Sequence, residues 1–74
     1  MSKPTRITNS IRALRFARGE MTQAELAQRI GVTRQTVIAI EQGRYSPSLE
    51  VAFQIARVLE VSLDGVFQYP DGES

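Results

Sequence analysis

The 74-residue chain lacks cysteine and histidine, and its formal net charge is only +1. Without cysteine it forms neither a disulfide nor a thiolate metal site. Without histidine it lacks the commonest general base and the commonest metal ligand. None of its eight carboxylates falls in a recognisable metal-binding or acid–base motif. These absences argue against an enzyme and predict no metal ion or other cofactor.

The chain also lacks any run of about 18 apolar residues, the length needed to span a membrane. Residues 1–5 contain no apolar stretch of the kind found in signal peptides. The sequence therefore predicts a cytoplasmic protein without a membrane partner. The length allows one domain, and a domain this small buries only about 60% of the surface of its unfolded chain.

Charge is distributed unevenly along the chain. Residues 1–44 carry eight basic and three acidic side chains, a net charge of +5, and residues 45–74 carry one basic and five acidic side chains, a net charge of −4. Such an asymmetry lets a basic face approach phosphate groups while an acidic end stays away from them. A chain this short can also acquire such an asymmetry by chance. The pattern alone therefore does not decide between a phosphate-binding face and a chance distribution of charge.

Apolar periodicity and end signals predict five helices, over residues 9–18, 22–31, 34–42, 49–59 and 62–67. The predicted N-terminal caps are Thr8 or Asn9, Thr22, Thr33, Ser48 and Ser62. Gly19, Gly31 and Gly43 are placed to end the first three helices.

Two of these helices meet the requirements of a helix-turn-helix over residues 23–42. A steep crossing over a short turn needs a small residue between the backbones, a positive-φ residue in the turn and apolar anchors on both helices. Ala27 meets the first requirement and Gly31 the second. The apolar anchors are Leu26, Ile30, Val32, Val37 and Ile40.

The residues that carry a family resemblance are Thr22-Gln23-x-x-Leu26-Ala27, Gly31-Val32-Thr33, Ile40-Glu41-x-Gly43 and Pro47-Ser48-Leu49. In this order they resemble the lambda-repressor-like, Cro-type (XRE-like) helix-turn-helix transcriptional regulators. The resemblance covers residues 9–67 and implies an all-α, five-helix DNA-binding bundle whose third helix lies in the major groove. Residues 1–8 would form an N-terminal arm and residues 68–74 a C-terminal tail. The step from Arg15 to Gln23 is one residue longer than is usual in the family, which weakens any comparison by position in the first helix.

The outer face of the third helix contains the candidate base contacts. Arginine reads guanine and glutamine reads adenine through paired hydrogen bonds, so Arg34 and Gln35 are the first candidates. The alternatives are a phosphate contact for Arg34 and a solvated side chain for Gln35. Thr36, Ile38 and Ala39 are further candidates for contact with a thymine methyl group, and for Thr36 and Ala39 a phosphate is the alternative partner. Thr36 could instead stabilise the helix start, and Ile38 could instead fill the helix flank.

The resemblance implies phosphate contacts around both ends of the helix-turn-helix. Gln23 opens the second helix, where unpaired backbone N–H groups and the helix dipole attract an anion. The full candidate set is Thr22, Gln23, Thr33, Gln42, Arg44 and Ser46. The alternatives are a surface helix-start residue for Gln23 and a solvated loop after the third helix. The resemblance also implies a structural ion pair between Arg15 and Glu41. The alternative is that both charges are exposed and contribute little to stability.

A homodimer is expected because one recognition helix contacts only about four to five base pairs, too few to specify a site in a genome. The candidate dimer interface is the C-terminal apolar set Leu59, Val61, Leu63, Val66, Phe67 and Tyr69. The alternative is that these side chains complete the core of a single chain. Short members of the family can add a small antiparallel strand pair, for which residues 6–8 and 66–69 are the candidates.

The sequence therefore predicts a sequence-specific regulator of transcription that binds double-stranded DNA, acting as a homodimeric repressor on a palindromic operator. The alternative is a protein-interaction module, such as an antitoxin that neutralises a partner protein. Antitoxins usually need a toxin-binding segment beyond the DNA-binding core, and only seven residues follow Phe67, which argues against an antitoxin, although a toxin could dock on the fifth helix. No further domain for a small-molecule pocket is expected, so a regulatory signal would act through a protein effector, temperature or protein level.

Overall fold

The computed structural model describes residues 5–44 and 46–70. The elements in chain order are β1 (Thr8–Asn9), α1 (Ile11–Ala17), α2 (Gln23–Ile30), α3 (Arg34–Glu41), α4 (Leu49–Leu59), α5 (Leu63–Val66) and β2 (Phe67–Gln68). The expected five-helix architecture with a small antiparallel strand pair is confirmed. Residues 1–4 of the expected arm and 71–74 of the expected tail lie outside the described residues. Across the described part of the chain, no helix has the length and apolar character needed to cross a membrane.

The strand pair shortens two of the predicted helices. Thr8 lies opposite Gln68 and Asn9 opposite Phe67 in the antiparallel register. Because Asn9 belongs to β1, α1 begins at Ile11 and not at residue 9. Because Phe67 begins β2, α5 ends at Val66. The two termini of the domain are therefore joined beside the start of α1.

Three of the predicted caps form as expected. The hydroxyls of Thr22, Thr33 and Ser48 accept hydrogen bonds, at 3.0, 3.1 and 3.2 Å, from the backbone N–H three residues further on. The prediction for Ser62 is wrong, because its hydroxyl donates to Asp64 Oδ1 at 2.7 Å and caps no backbone N–H. The starts of α2, α3 and α4 are thus fixed by local hydrogen bonds.

The loop between α1 and α2 contains the extra residue noted in the sequence. Gly19 and Glu20 both have positive φ, 78° and 60°. The backbone N–H of Met21 then donates to the carbonyl of Arg15 at 2.9 Å, and the Met21 side chain enters the core. The loop thereby accommodates the insertion and leaves α1 packed against the other helices.

The core contains apolar side chains from all five helices. Its buried members are Ile11, Met21, Leu26, Ala27, Ile30, Val37, Ile40, Ile55, Ala56, Leu59 and Val66. Leu59 and Val66 were expected in a dimer interface, but they are only 2% and 0% exposed. They must be removed from that interface, because the chain itself already encloses them. Of the remaining set, Val61, Leu63 and Phe67 are half-buried and Tyr69 is exposed.

Candidate nucleic-acid interface

The start of α3 presents polar side chains to solvent. Val37 and Ile40 are buried and hold one side of the helix in the core. Arg34 and Gln35, the first two residues of the helix, are exposed. Val37 and Ile40 lie three residues apart and so share one face, and the exposed side chains give α3 an open side next to this anchored side. The open side has the residue types that read base edges in the major groove.

The other three candidates on α3 are half-buried. Thr36 is tied to the helix start: its backbone N–H donates to the Thr33 hydroxyl, and the two hydroxyl oxygens lie 3.0 Å apart. Ile38 and Ala39 lie between the core side and the open side of the helix. Their apolar surface is therefore reachable from outside while part of it supports the packing of α3.

A buried ion pair fixes the end of α3 against α1. The Arg15 Nε atom donates to Glu41 Oε2 at 2.7 Å, and Nη2 donates to Oε1 at 3.2 Å. The third contact of this guanidinium is the Met21 carbonyl oxygen, 2.7 Å from Nη1. The planar fork of arginine suits such a two-bond contact with a carboxylate. The structure thus brings Arg15 and Glu41 together as a buried pair, despite the extra residue between α1 and α2.

Gln23 joins the same network from the start of α2. Its Nε2 atom donates to Glu41 Oε1 at 3.2 Å. An amide nitrogen carries two N–H bonds, so the second remains for another acceptor. The side chain is half-buried beside the cap residue Thr22, where the unpaired backbone N–H groups of the helix start lie. Glu41 therefore orients Gln23 at a position with favourable electrostatics for an anion.

Asn9 stabilises the end of α3, which the sequence did not indicate. Its Nδ2 atom donates to the backbone carbonyls of Ile40 and Glu41 at 3.1 and 3.4 Å. Its Oδ1 atom accepts from the Ile11 N–H at 3.1 Å. The predicted cap at Thr8 or Asn9 is wrong, however, because Asn9 belongs to β1 and Ser10 is the N-cap residue of α1. The α3 contact joins positions far apart in the chain, so no local pattern could have revealed it.

An open groove lies between α1 and the starts of α2 and α3. Its lining includes Arg12, Phe16, Gln23 and Arg34. Phe16 is exposed, and the guanidinium carbons of Arg12 and Arg15 lie 5.7 and 5.8 Å from its ring centre, within cation–π range. Arg12 and Phe16 were missed in the sequence. The available signal was an arginine four residues before an aromatic residue on the polar side of a helix.

The remaining phosphate candidates lie beyond the C-terminal end of α3. Gln42, Arg44 and Ser46 are exposed, and the Arg44 backbone N–H is held by the Ala39 carbonyl at 3.0 Å. Within residues 5–44 and 46–70, neither Arg34 nor Arg44 takes part in an ion pair. Two cationic groups at opposite ends of α3 are therefore available to an anionic ligand.

Comparison with known proteins finds helix-turn-helix proteins by sequence and a related fold by structure. Residues 11–66 match the family model described as helix-turn-helix. An uncharacterised helix-turn-helix transcriptional regulator of Methanocaldococcus jannaschii is 51% identical over 53 residues, covering 72% of this chain and 80% of that protein. Antitoxin HipB of Escherichia coli is 35% identical over 60 residues, covering 81% of this chain and 63% of that protein. A crystal structure of a Bacteroides fragilis protein shares the fold, with a TM-score of 0.72, 22% identity and coverage of 84% of this chain and 98% of the other.

Proposed function

This chain belongs to the helix-turn-helix family of DNA-binding transcriptional regulators, and we propose that it is a repressor that binds a palindromic operator as a homodimer. The observation that carries the proposal is the two-sided character of α3. Val37 and Ile40 anchor one side in the core, and Arg34 and Gln35 lie in solvent at the helix start. A recognition helix of this kind contacts base edges with its N-terminal residues.

In this proposal α3 reads the base sequence. Arg34 pairs with guanine O6 and N7, and Gln35 pairs with adenine N6 and N7, each through two hydrogen bonds. The half-buried side chains of Ile38 and Ala39 contact thymine methyl groups. The Thr36 hydroxyl is shared with Thr33, so Thr36 contributes its methyl group to the same apolar contact.

Phosphate contacts position the domain on the duplex. Gln23, oriented by Glu41, donates its second N–H to a phosphate at the start of α2. Thr22 contributes from the same helix start, and Arg12 lies across the groove from it. Thr33 contributes from the N-terminal cap of α3, and Gln42, Arg44 and Ser46 contribute from its C-terminal end and the loop that follows. These contacts supply affinity without sequence preference.

Repression follows from occupancy alone. A protein bound to an operator that overlaps a promoter excludes the transcription machinery, whereas activation needs a further surface that contacts it. A pair of domains on two half-sites supplies the required occupancy, because doubling the number of base contacts raises the specific affinity. The twofold symmetry of such a pair matches a palindromic operator.

Selection from a pool of random DNA duplexes tests the proposal. We expect enrichment of a palindromic sequence whose half-sites lie about 34 Å apart, and sedimentation should show two chains on each selected duplex. The selected site, placed over a promoter, should lower expression of a reporter gene in the presence of the protein. A pool that never enriches, or a complex with one chain per duplex, would contradict the proposal.

A second candidate function is that of an antitoxin, which the similarity to Antitoxin HipB favours. In that case the chain neutralises a partner protein, and operator binding is secondary. Co-expression with the product of a neighbouring gene separates the two functions. A gene product that stops growth alone, and permits growth when this chain is present, would support the antitoxin function. Neighbouring products without toxicity would contradict it.

A further inference from the structure

One side of α4 carries large apolar side chains that the chain leaves uncovered. Leu49 and Phe53 are 69% and 51% exposed. They lie four residues apart and therefore share one side of the helix. The adjoining side of α4 is buried in the core through Ile55, Ala56 and Leu59. Exposed aromatic and aliphatic surface of this kind marks an interaction site when its neighbours form a suitable rim.

Two opposite charges flank this apolar side. Glu50 and Arg57 lie seven residues apart, close to two full helical turns, so both project on the side of Phe53. Neither forms an ion pair within the described ranges 5–44 and 46–70. An unpaired charge of each sign beside an apolar patch is a pattern that a complementary surface can satisfy.

The pattern is complementary to itself. In a twofold dimer two copies of one helix run antiparallel, and each contact between different residues occurs twice. When the twofold axis passes between positions 53 and 54, position 50 of one helix lies opposite position 57 of the other. Glu50 then faces Arg57 of the second copy, and the two Phe53 rings meet near the centre. Leu49 packs against the aliphatic part of Arg57, whose stem is apolar.

We infer that a second copy of this chain docks on the α4 patch, formed by Leu49, Glu50, Phe53 and Arg57, through antiparallel pairing of the two helices. The inference rests on the homodimer of the proposed function, and it names the surface that forms it. It centres the dimer on α4 and not on the C-terminal apolar set, from which burial has already removed Leu59 and Val66.

Charge reversal tests the pairing directly, with DNA absent. The variants Glu50→Arg and Arg57→Glu each place like charges opposite each other twice in the homodimer. We expect each to weaken dimerisation by at least about tenfold, as measured by sedimentation velocity at micromolar concentration. An equimolar mixture of the two variants restores opposite charges at both contacts. This mixture should therefore form a heterodimer with an affinity close to that of the wild type.

Matched variants complete the experiment. Phe53→Asp should give a monomer, and its helical circular dichroism should stay close to wild type because the side chain is half exposed. Gln28→Arg and Gln28→Glu place charges of both signs on an exposed position of α2, and both should remain dimeric. These controls separate loss of the α4 contact from a general effect of charge or from unfolding.

The outcomes distinguish this inference from the proposed function. A Phe53→Asp variant that stays dimeric, or a mixture of the charge variants that stays monomeric, overturns the α4 surface. A dimer lost with Phe67→Asp plus Tyr69→Asp, but kept with Phe53→Asp, places the interface in the C-terminal set and leaves the homodimer intact. A wild-type chain that is monomeric both in solution and on its selected duplex overturns the homodimer itself.

Discussion

Arg15 and Glu41 form a two-bond ion pair in which the side chains are only 8% and 9% exposed. The pair fastens the end of α3, the proposed recognition helix, to α1. The same carboxylate accepts a hydrogen bond from Gln23 at the start of α2. One buried anion therefore sets the relative positions of three helices, and it also orients a side chain at the proposed phosphate site.

Loss of this charge should destabilise the fold. Glu41→Gln leaves the Arg15 guanidinium buried without a counter-charge, so we expect the free energy of unfolding to fall by about 3–5 kcal/mol. Urea denaturation followed by circular dichroism measures the change. The matched control is Glu25→Gln, because Glu25 forms an exposed pair with Arg29 at 3.4 Å and should cost less than about 1 kcal/mol. Equal effects of the two substitutions would show that burial of the Arg15 pair contributes nothing.

The second prediction concerns the contribution of the helix caps to stability. Thr33→Ala removes the acceptor for the Thr36 N–H, and we expect it to lower the free energy of unfolding by about 1 kcal/mol. Thr33→Ser keeps the hydroxyl and should restore most of the loss. Ser62→Ala should cost less, because the Ser62 hydroxyl caps no backbone N–H. Thermal or urea unfolding of the three variants measures their free energies of unfolding. A larger loss of stability for Ser62→Ala than for Thr33→Ala would contradict the prediction.

Local features were predictable from the sequence because their physical causes are local. The caps at Thr22 and Thr33 act over three residues, and the left-handed turn at Gly31 depends on one residue type. A strand pair between the two ends of the domain was expected from residue type and the family resemblance, but its first strand was placed at residues 6–8, whereas β1 is Thr8–Asn9. Glu60 has φ of 61° at the end of α4 without being glycine, so composition gave no signal for it.

The contacts that position the candidate site depend on packing across the chain. Asn9 in β1 donates to backbone carbonyls at the end of α3, 31 and 32 residues away in the chain, and no sequence pattern encodes that contact. Leu59 and Val66 were indistinguishable by residue type from the half-buried Leu63 and Phe67. Burial separated them, because it depends on which side of each helix the other elements cover. The sequence thus indicated the proposed recognition face but not which apolar side chains stay exposed.

The phosphate assignment of Arg44 predicts a change in salt dependence. Arg44→Ala should weaken binding to all duplexes alike and reduce the slope of log K against log salt by about one unit. Filter binding or fluorescence anisotropy over a salt series measures the slope. Arg29→Ala, an exposed arginine at the end of α2, serves as the control and should leave the slope unchanged. A loss confined to the selected site would show that Arg44 reads bases.

The ratio of dissociation constants for the selected duplex and a scrambled duplex, at one salt concentration, tests most directly whether α3 reads sequence. For the wild type we predict a ratio of at least about 10³ in favour of the selected duplex. Arg34→Ala or Gln35→Ala should each cost about 1–3 kcal/mol on the selected duplex and relax preference at one base pair per half-site, with little change on the scrambled one. Gln28→Ala on α2 should leave the ratio unchanged. A wild-type ratio near one, or a ratio that both α3 substitutions leave intact, would contradict sequence recognition by this helix.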